Sequence, residues 1–285
     1  MSNLNSLKNR ISVVTNTKKI TKAMQLVATA KLQKSKKNLE NIRNYKNLLE
    51  ETFNELMQNV SLKDLKEIFP LNESVLKNLY IIISSDLGLC GSYNSNIYSQ
   101  INQHLTKDDL VIFVGAKAYL YSHSWIKNEN IVQKYFAYGD NFNYALADAI
   151  TKDALELYFG GKVKFINIIY TDFINNIIQE AKTFQLFPFE VQNQKSSLKA
   201  NVEFYPNAET ILKNSIPLFI SSMIYSLGNL SKISEMSSRR NAMENATENA
   251  NELIKELGLE FNRKRQSLIT QEINEIVSGA DATQN

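Results

Sequence analysis

The chain has few of the residues that interrupt regular structure and few of those that build compact chemical centres. Four prolines and nine glycines in 285 residues leave room for long uninterrupted elements. A single cysteine, Cys90, excludes a disulfide within the chain and any cysteine-based metal site, and it suits a reducing compartment. The two histidines, His104 and His123, stand alone without ligand-spaced company, so structural roles and no metal are expected for them. The longest apolar runs, such as "LYIII" at 79–83, are far shorter than the roughly 20 residues that cross a bilayer, so no direct lipid insertion is expected. The amino-terminal segment lacks the apolar centre of a signal peptide. A formal charge of +3 is too small to argue for a nucleic-acid partner.

What is present divides the chain into ends and a middle. With 44 % apolar residues there is enough to bury a real core. No glycine or proline occurs before Pro70, and no acidic residue before Glu40. Apolar residues recur there at steps of three and four: Leu4, Leu7, Ile11, Val14, Ile20, Met24, Val27, Leu39, Ile42, Leu49, Phe53, Leu56. The period predicts one helix over 3–58, about 80 Å long if straight, with Ile20, Met24, Val27 and Ala28 on its apolar face. Such a helix outruns any single core.

The other end behaves alike. From Pro217 to Ser278 the series runs Met223, Leu227, Leu230, Ile233, Met236, Met243, Ala246, Ala250, Leu253, Leu257, Phe261, Leu268, Ile273, Ile276, with Gly279 as the expected stop. Gly228 and Gly258 within it each cost about 1 kcal/mol relative to alanine. Two long amphipathic ends most simply pair as a coiled coil. Nine bases between Lys8 and Lys37 face a glutamate ladder at Glu244, Glu248, Glu252, Glu256 and Glu260, and Lys18 and Lys19 are expected to favour the pairing. Exposed pairs of this kind contribute only about 0–1 kcal/mol each.

The middle alternates strand-like and helix-like runs. "NLYIIISS" (78–85), "DLVIFVG" (109–115) and "GKVKFINIIYTDF" (161–173) read as strands, with helices at 94–105, 116–123 and 143–158 between them. This predicts a Rossmann-like α/β middle domain with a largely parallel sheet. A further strand over 177–191 is placed at an edge by Pro188, and 192–203 is the expected connector. Asp108 and Asp109 read as a solvated turn.

"SSDLGLCGSYN" (84–94) follows a strand and opens a helix, where phosphate loops sit. Its spacing matches neither a GxxxxGK[ST] nor a GxGxxG pattern, so a structural turn capped by Asn94 is the expectation. No catalytic constellation can be argued from spacing, and neither catalytic residues nor a cofactor are expected. The lysine-rich segment 18–37 is rich in methionine and alanine, and no aromatic residue precedes Tyr45. That composition fits a coiled-coil strand better than a nucleic-acid arm or a membrane-surface helix.

Two long segments carry a resemblance beyond periodicity. "LKNRISVVTNTKKITKAMQLVATAKLQK" and "SEMSSRRNAMENATENANELIKELGLEFNRKRQSLITQEINEIVSG", with "SSDLGLCGSYNSNI" between them, closely resemble the γ subunit of F-type ATP synthases. The resemblance implies a noncatalytic rotor whose terminal helices form an antiparallel coiled coil inside a ring of α and β subunits. It implies three segments: a long helix in 1–69, the α/β domain in 70–206, and a long helix with its tail in 207–285. Its implied partners are the α and β subunits, the ε subunit and the ring of c subunits, on the cytoplasmic face of the cell membrane and without nucleic acid.

Residue by residue, Met24 matches the position facing the acidic lever of a β subunit. Arg239 matches a basic partner-contacting position, and Gln266, Thr270 and Glu272 match polar contacts higher on the C-terminal helix. Leu87, Ser92 and Arg240 depart from the family pattern, and the usual acidic residue is missing around Leu230. Other readings are the shaft of a related rotary ATPase that hydrolyses ATP for another purpose, a basic coiled-coil nucleic-acid binder, and a small nucleotide-binding enzyme.

Overall fold

The first helix does not run unbroken from 3 to 58. In the computed structural model, which describes residues 2–59, 71–139, 142–189 and 208–283, α1 (Ser2–Lys36) ends in a turn at Lys37 and Asn38 before α2 (Leu39–Asn59) begins. The hydrogen bonding tightens there, with Asn38 N–H donating to Ser35 C=O at 3.3 Å in the i−3 pattern. Lys36 and Arg43, one on each side of the turn, both reach the hairpin between the strands Ile166–Phe173 and Gln179–Phe187: Lys36 Nζ donates to Asn176 Oδ1 and Arg43 Nη2 to Phe173 C=O. No glycine or proline marked this break, because a tertiary contact makes it.

The chain forms two compact units, one of residues 29–239 and one of 1–28 with 240–285. The boundaries expected at 69/70 and 206/207 and the connector at 192–203 lie outside the described residues.

The larger unit is built on a five-stranded sheet of order β3-β2-β1-β4-β5. Its strands are β1 (Leu79–Ile83), β2 (Leu110–Val114), β3 (Ile131–Tyr135), β4 (Ile166–Phe173) and β5 (Gln179–Phe187). The first four are parallel and β5 runs antiparallel to β4 at the edge. The parallel expectation and the edge strand are both met. Strand β3, "IVQKY", was not anticipated: it is short, half polar and only partly buried, so it carries no apolar run.

Strand alternation sends alternate residues to two cores. Leu79, Ile81, Ile83, Ile112, Val114, Ile166 and Ile168 face the core shared with α2, α5 (Tyr144–Phe159) and the early part of α6 (Ala208–Thr283). Tyr80, Ile82, Val111, Phe113 and Ile169 face α3 (Tyr93–His104) and α4 (Ala116–Ser122). Helices on both faces are what a near-continuous apolar parallel strand requires.

Several local expectations are corrected. Asp109 is not solvated: it is 2 % exposed, and its carboxylate accepts from Asn78 N–H (2.8 Å), Thr106 N–H (2.8 Å) and Thr106 Oγ1 (2.7 Å). Gly228 is no weak point in α6, because a Cβ there would lie 2.5 Å from the Phe142 ring. The absent side chain admits the aromatic ring. Helix α6 also continues beyond Gly279 to Thr283.

In the smaller unit, the two helical segments run antiparallel. Thr21 Oγ1 meets Thr247 Oγ1 at 2.8 Å, while Arg10 acts electrostatically on Glu260, so rising numbers in one segment meet falling numbers in the other. A row of shielded residues on α1 runs Leu4, Leu7, Ile11, Val14, Lys18, Thr21, Gln25 and Ala28, with Thr15 and Met24 partly shielded beside it; the row on α6 runs Met243, Thr247, Ala250, Ile254, Leu257, Phe261, Lys264 and Leu268. Both series step by three and four, the heptad seam of a coiled coil.

That seam corrects the expected apolar face. It passes through Lys18, Thr21 and Gln25, whereas Ile20 (61 % exposed) and Val27 (55 % exposed) point away from it. Nor does the glutamate ladder pair with Lys18 or Lys19 among the described residues. Glu244 binds Arg240 (3.1 Å) and Glu260 binds Lys264 (2.7 Å), each one turn away on its own helix.

Candidate functional site

Two places hold the residues singled out by sequence: the junction of "SSDLGLCGSYN" with "SEMSSRR" in the larger unit, and the paired helices of the smaller one. At the junction the glycine loop leaves β1 and is gathered inward by its own polar groups. Ser85 Oγ donates to Leu87 C=O (2.7 Å), Ser85 N–H donates to Asn94 Oδ1 (3.3 Å), and Asn94 Nδ2 donates to Ser85 Oγ (2.8 Å). Asn94 is therefore a clasp across the loop rather than a helix cap; α3 starts one residue before it, after Ser92, without a side-chain cap. Leu89 (φ 61°) and Gly91 (φ 58°) both adopt the left-handed conformation that lets the loop double back.

Helix α6 takes up the loop's inward carbonyls. Ser238 Oγ donates to Cys90 C=O (2.7 Å), and Arg239 Nη2 donates to Leu87 C=O (3.1 Å) and Gly88 C=O (3.4 Å). Arg239 Nη1 binds Glu235 Oε1 at 2.7 Å, and Glu235 Oε2 binds Lys232 Nζ at 3.1 Å. This Lys232–Glu235–Arg239 network is buried, with Glu235 3 % exposed. A buried carboxylate is tolerable because two cations and good geometry offset its desolvation. Lys232 Nζ also sits 4.6 Å from the centre of the Tyr138 ring. Burial, then the charges of Glu235 and Asp86, push the Tyr138 phenol far above its usual value. Burial likewise raises the Cys90 thiol, against the opposing pull of Ser85 and Arg239.

The expected site residues fall in different settings. Arg239 is turned into this junction, its side chain 11 % exposed. Met24 is half-buried on α1. Gln266, Thr270 and Glu272 are exposed on α6, and Thr270 Oγ1 donates to Gln266 C=O (3.0 Å). Gln266 and Thr270 share one helical face, while Glu272 lies about 200° around from Thr270. One flat partner surface cannot meet all three.

Sequence reading merged two rows of α1 into one apolar face. Val13, Ile20 and Val27 are seven residues apart, all more than half exposed, with Met24 within the same row. They lie one residue, or about 100°, away from the seam. The repeat of seven was visible in the sequence; two apolar rows one residue out of phase could not be sorted into inner and outer without the partner helix.

A sequence profile of the family described as ATP synthase matches residues 3–283. The ATP synthase gamma chain of Mycoplasmopsis synoviae is 46 % identical over 99 % of this chain and 100 % of its own length. That of Mycoplasma mycoides is 40 % identical over 99 % of each. The chain belongs to the ATP synthase gamma-chain family. Among solved structures, the mitochondrial ATP synthase of Euglena gracilis contains a chain of the same fold, with TM-score 0.73, 15 % identity and coverage of 99 % of this chain and 95 % of that one. A chain of the Tetrahymena thermophila mitochondrial ATP synthase central stalk and c-ring aligns with TM-score 0.57 and 25 % identity, over 80 % of this chain and 99 % of that one. The glycine loop and the "SEMSSRR" turn are thus one structural unit of a gamma chain, their polar groups spent on each other.

Proposed function

We propose that the paired terminal helices turn inside a ring of α and β subunits as a noncatalytic shaft, while the sheet domain meets the ε subunit and the ring of c subunits on the cytoplasmic face of the membrane. Ion flow through the c ring would drive the shaft, and its changing contacts would move each catalytic site in turn through its states. This is coupling by differential contact: each orientation of the shaft favours one arrangement of the surrounding sites.

One observation carries the reading. The ridge Val13, Ile20 and Val27 leaves large apolar side chains outside the seam, together with Leu259, Ile269, Ile273 and Ile276 on α6. Apolar rows on several sides of a slender helix pair call for a sleeve rather than a single docked partner. The divergent directions of Thr270 and Glu272 support the same geometry. No described helix is long and apolar enough to cross a membrane, which is consistent with a peripheral placement.

Met24, within the ridge, is assigned to the contact with the acidic lever of a β subunit, and Gln266, Thr270 and Glu272 to contacts farther along α6. Met24→Lys places a cation against that lever and holds one shaft orientation too firmly. In the assembled complex in sealed vesicles, ions pumped per ATP hydrolysed should fall by about half or more, an imbalance of roughly 1 kcal/mol between orientations sufficing. An unchanged ratio would remove Met24 from the contact. Failure of the chain to co-purify with α and β subunits would remove the shaft reading itself.

A further inference from the structure

We propose that Ser231, Ser234, Ser237, Ser238 and Arg239 form a key that fixes α6 against turning or sliding on the sheet domain, so that torque passes between helix and domain through main-chain hydrogen bonds. The proposal rests on the rotor reading. All five side chains lie within nine residues of one helix, and all five bond to backbone. Ser231 Oγ accepts from Thr171 N–H (2.9 Å), and Ser234 Oγ donates to Thr171 C=O (3.2 Å), gripping one strand residue at two levels about a turn apart. Ser237 Oγ donates to Asn176 C=O (3.0 Å) in the β4–β5 hairpin. Ser238 and Arg239 hold the glycine loop at Cys90, Leu87 and Gly88.

Apolar packing is non-directional, so a greasy helix can rotate in its groove at modest cost. Hydrogen bonds weaken steeply with angle, and rotation by one residue, about 100°, would break all of these together. Main-chain partners also cannot swing aside as side chains do. The gripped segments are themselves braced. Lys36 and Arg43 hold the hairpin from α1 and α2, and Lys232 and Glu235 orient Arg239. Serine is a mediocre helix former, yet it occupies these buried positions because its short hydroxyl reaches the backbone at close approach.

The test applies a magnetic twist to a bead on the sheet domain of the assembled complex, with the α/β ring immobilised and nucleotide absent. Replacing Ser231, Ser234, Ser237 and Ser238 together by alanine removes four oxygen atoms and should lower torsional stiffness about twofold or more, since each lost bond shifts the local equilibrium several-fold. Ser238→Thr alone, which keeps a hydroxyl, should retain wild-type stiffness. Ile168→Val, a loss of core volume in the same unit away from the row, should reduce thermal stability without changing stiffness. Unchanged stiffness in the fourfold variant, or an equal loss in Ile168→Val, would overturn the key. Because no ATP is used, this result is separate from the rotor reading, which would fail if the wild-type complex showed no ATP-driven rotation.

Discussion

The two compact units handle polar groups in opposite ways. In the larger unit, polar side chains enter the interior with defined partners: Asp109 closes a turn with three donors, Glu235 bridges two cations, and four serines bond to backbone. In the smaller unit, polar residues at Lys18, Thr21, Gln25, Thr247 and Lys264 interrupt an otherwise apolar seam, while further large apolar residues face out. The first arrangement specifies one rigid packing. The second gives a narrow seam broken by polar layers and leaves apolar side chains on the outer faces of the pair. A unit with a specified polar interior and a helix pair with apolar outer faces thus arise from one chain with one average composition.

The comparison breaks most sharply at Gly115. This residue has φ +93°, and a Cβ there would lie 2.1 Å from Ser84 C=O, so Gly115→Ala should destabilise the larger unit by about 4 kcal/mol or more. Thermal unfolding of the chain should show that loss, with amide exchange quickening across β1 and β2. Glu235→Ala comes next. It leaves Lys232 and Arg239 buried without their carboxylate and should cost about 3 kcal/mol, read by denaturant titration. Loss below about 1 kcal/mol would mean that the network adds nothing to rigidity.

A pH series probes the same unit. Burial, with the nearby charge of Asp109, pushes the Tyr80 phenol up to about 12. The folded chain therefore keeps its phenolic proton where the unfolded chain loses it. The stabilisation is complete below pH 10 and is lost as pH rises from 10 towards 12, by about 1–2 kcal/mol. Tyr80→Phe should make that part of the stability curve less steep, the share that remains coming from other buried phenols raised in the same way, Tyr93, Tyr138 and Tyr170 among them. The smallest effect is expected in the seam. Thr21→Val alone should cost about 0.5–1 kcal/mol, whereas Thr21→Val with Thr247→Val should be neutral or stabilising, because both hydroxyls of the pair are replaced by methyls. Amide exchange along α1 would register the difference. A large loss in the double variant would mean that the polar layer, not apolar contact, holds the ends together.

Much of this organisation was legible before any coordinates. The β-rich runs at 79–83, 110–114 and 166–173 are nearly all apolar because parallel strands are covered on both faces, and that pattern reads directly. The long terminal helices follow from the scarcity of glycine and proline. Less legible were features whose cause lies far away in sequence. Asn94 resembled a cap until Ser85 was seen to occupy it, and Asp109 resembled a surface acid until Asn78 and Thr106 surrounded it. Arg239 matched a partner-contacting position, but its guanidinium is engaged by Glu235 and the glycine loop.

By itself the sequence determined which segments are helix or strand apart from β3, that the sheet is largely parallel, that the ends pair, and to which family the chain belongs. These depend on local period and composition, which every residue carries with it. Only the tertiary structure decided which apolar row of α1 faces inward, where the first helix breaks, and that a file of serines grips the sheet domain. Those outcomes depend on what each residue meets across the fold, and a period of seven leaves adjacent rows equally eligible until the partner helix selects one.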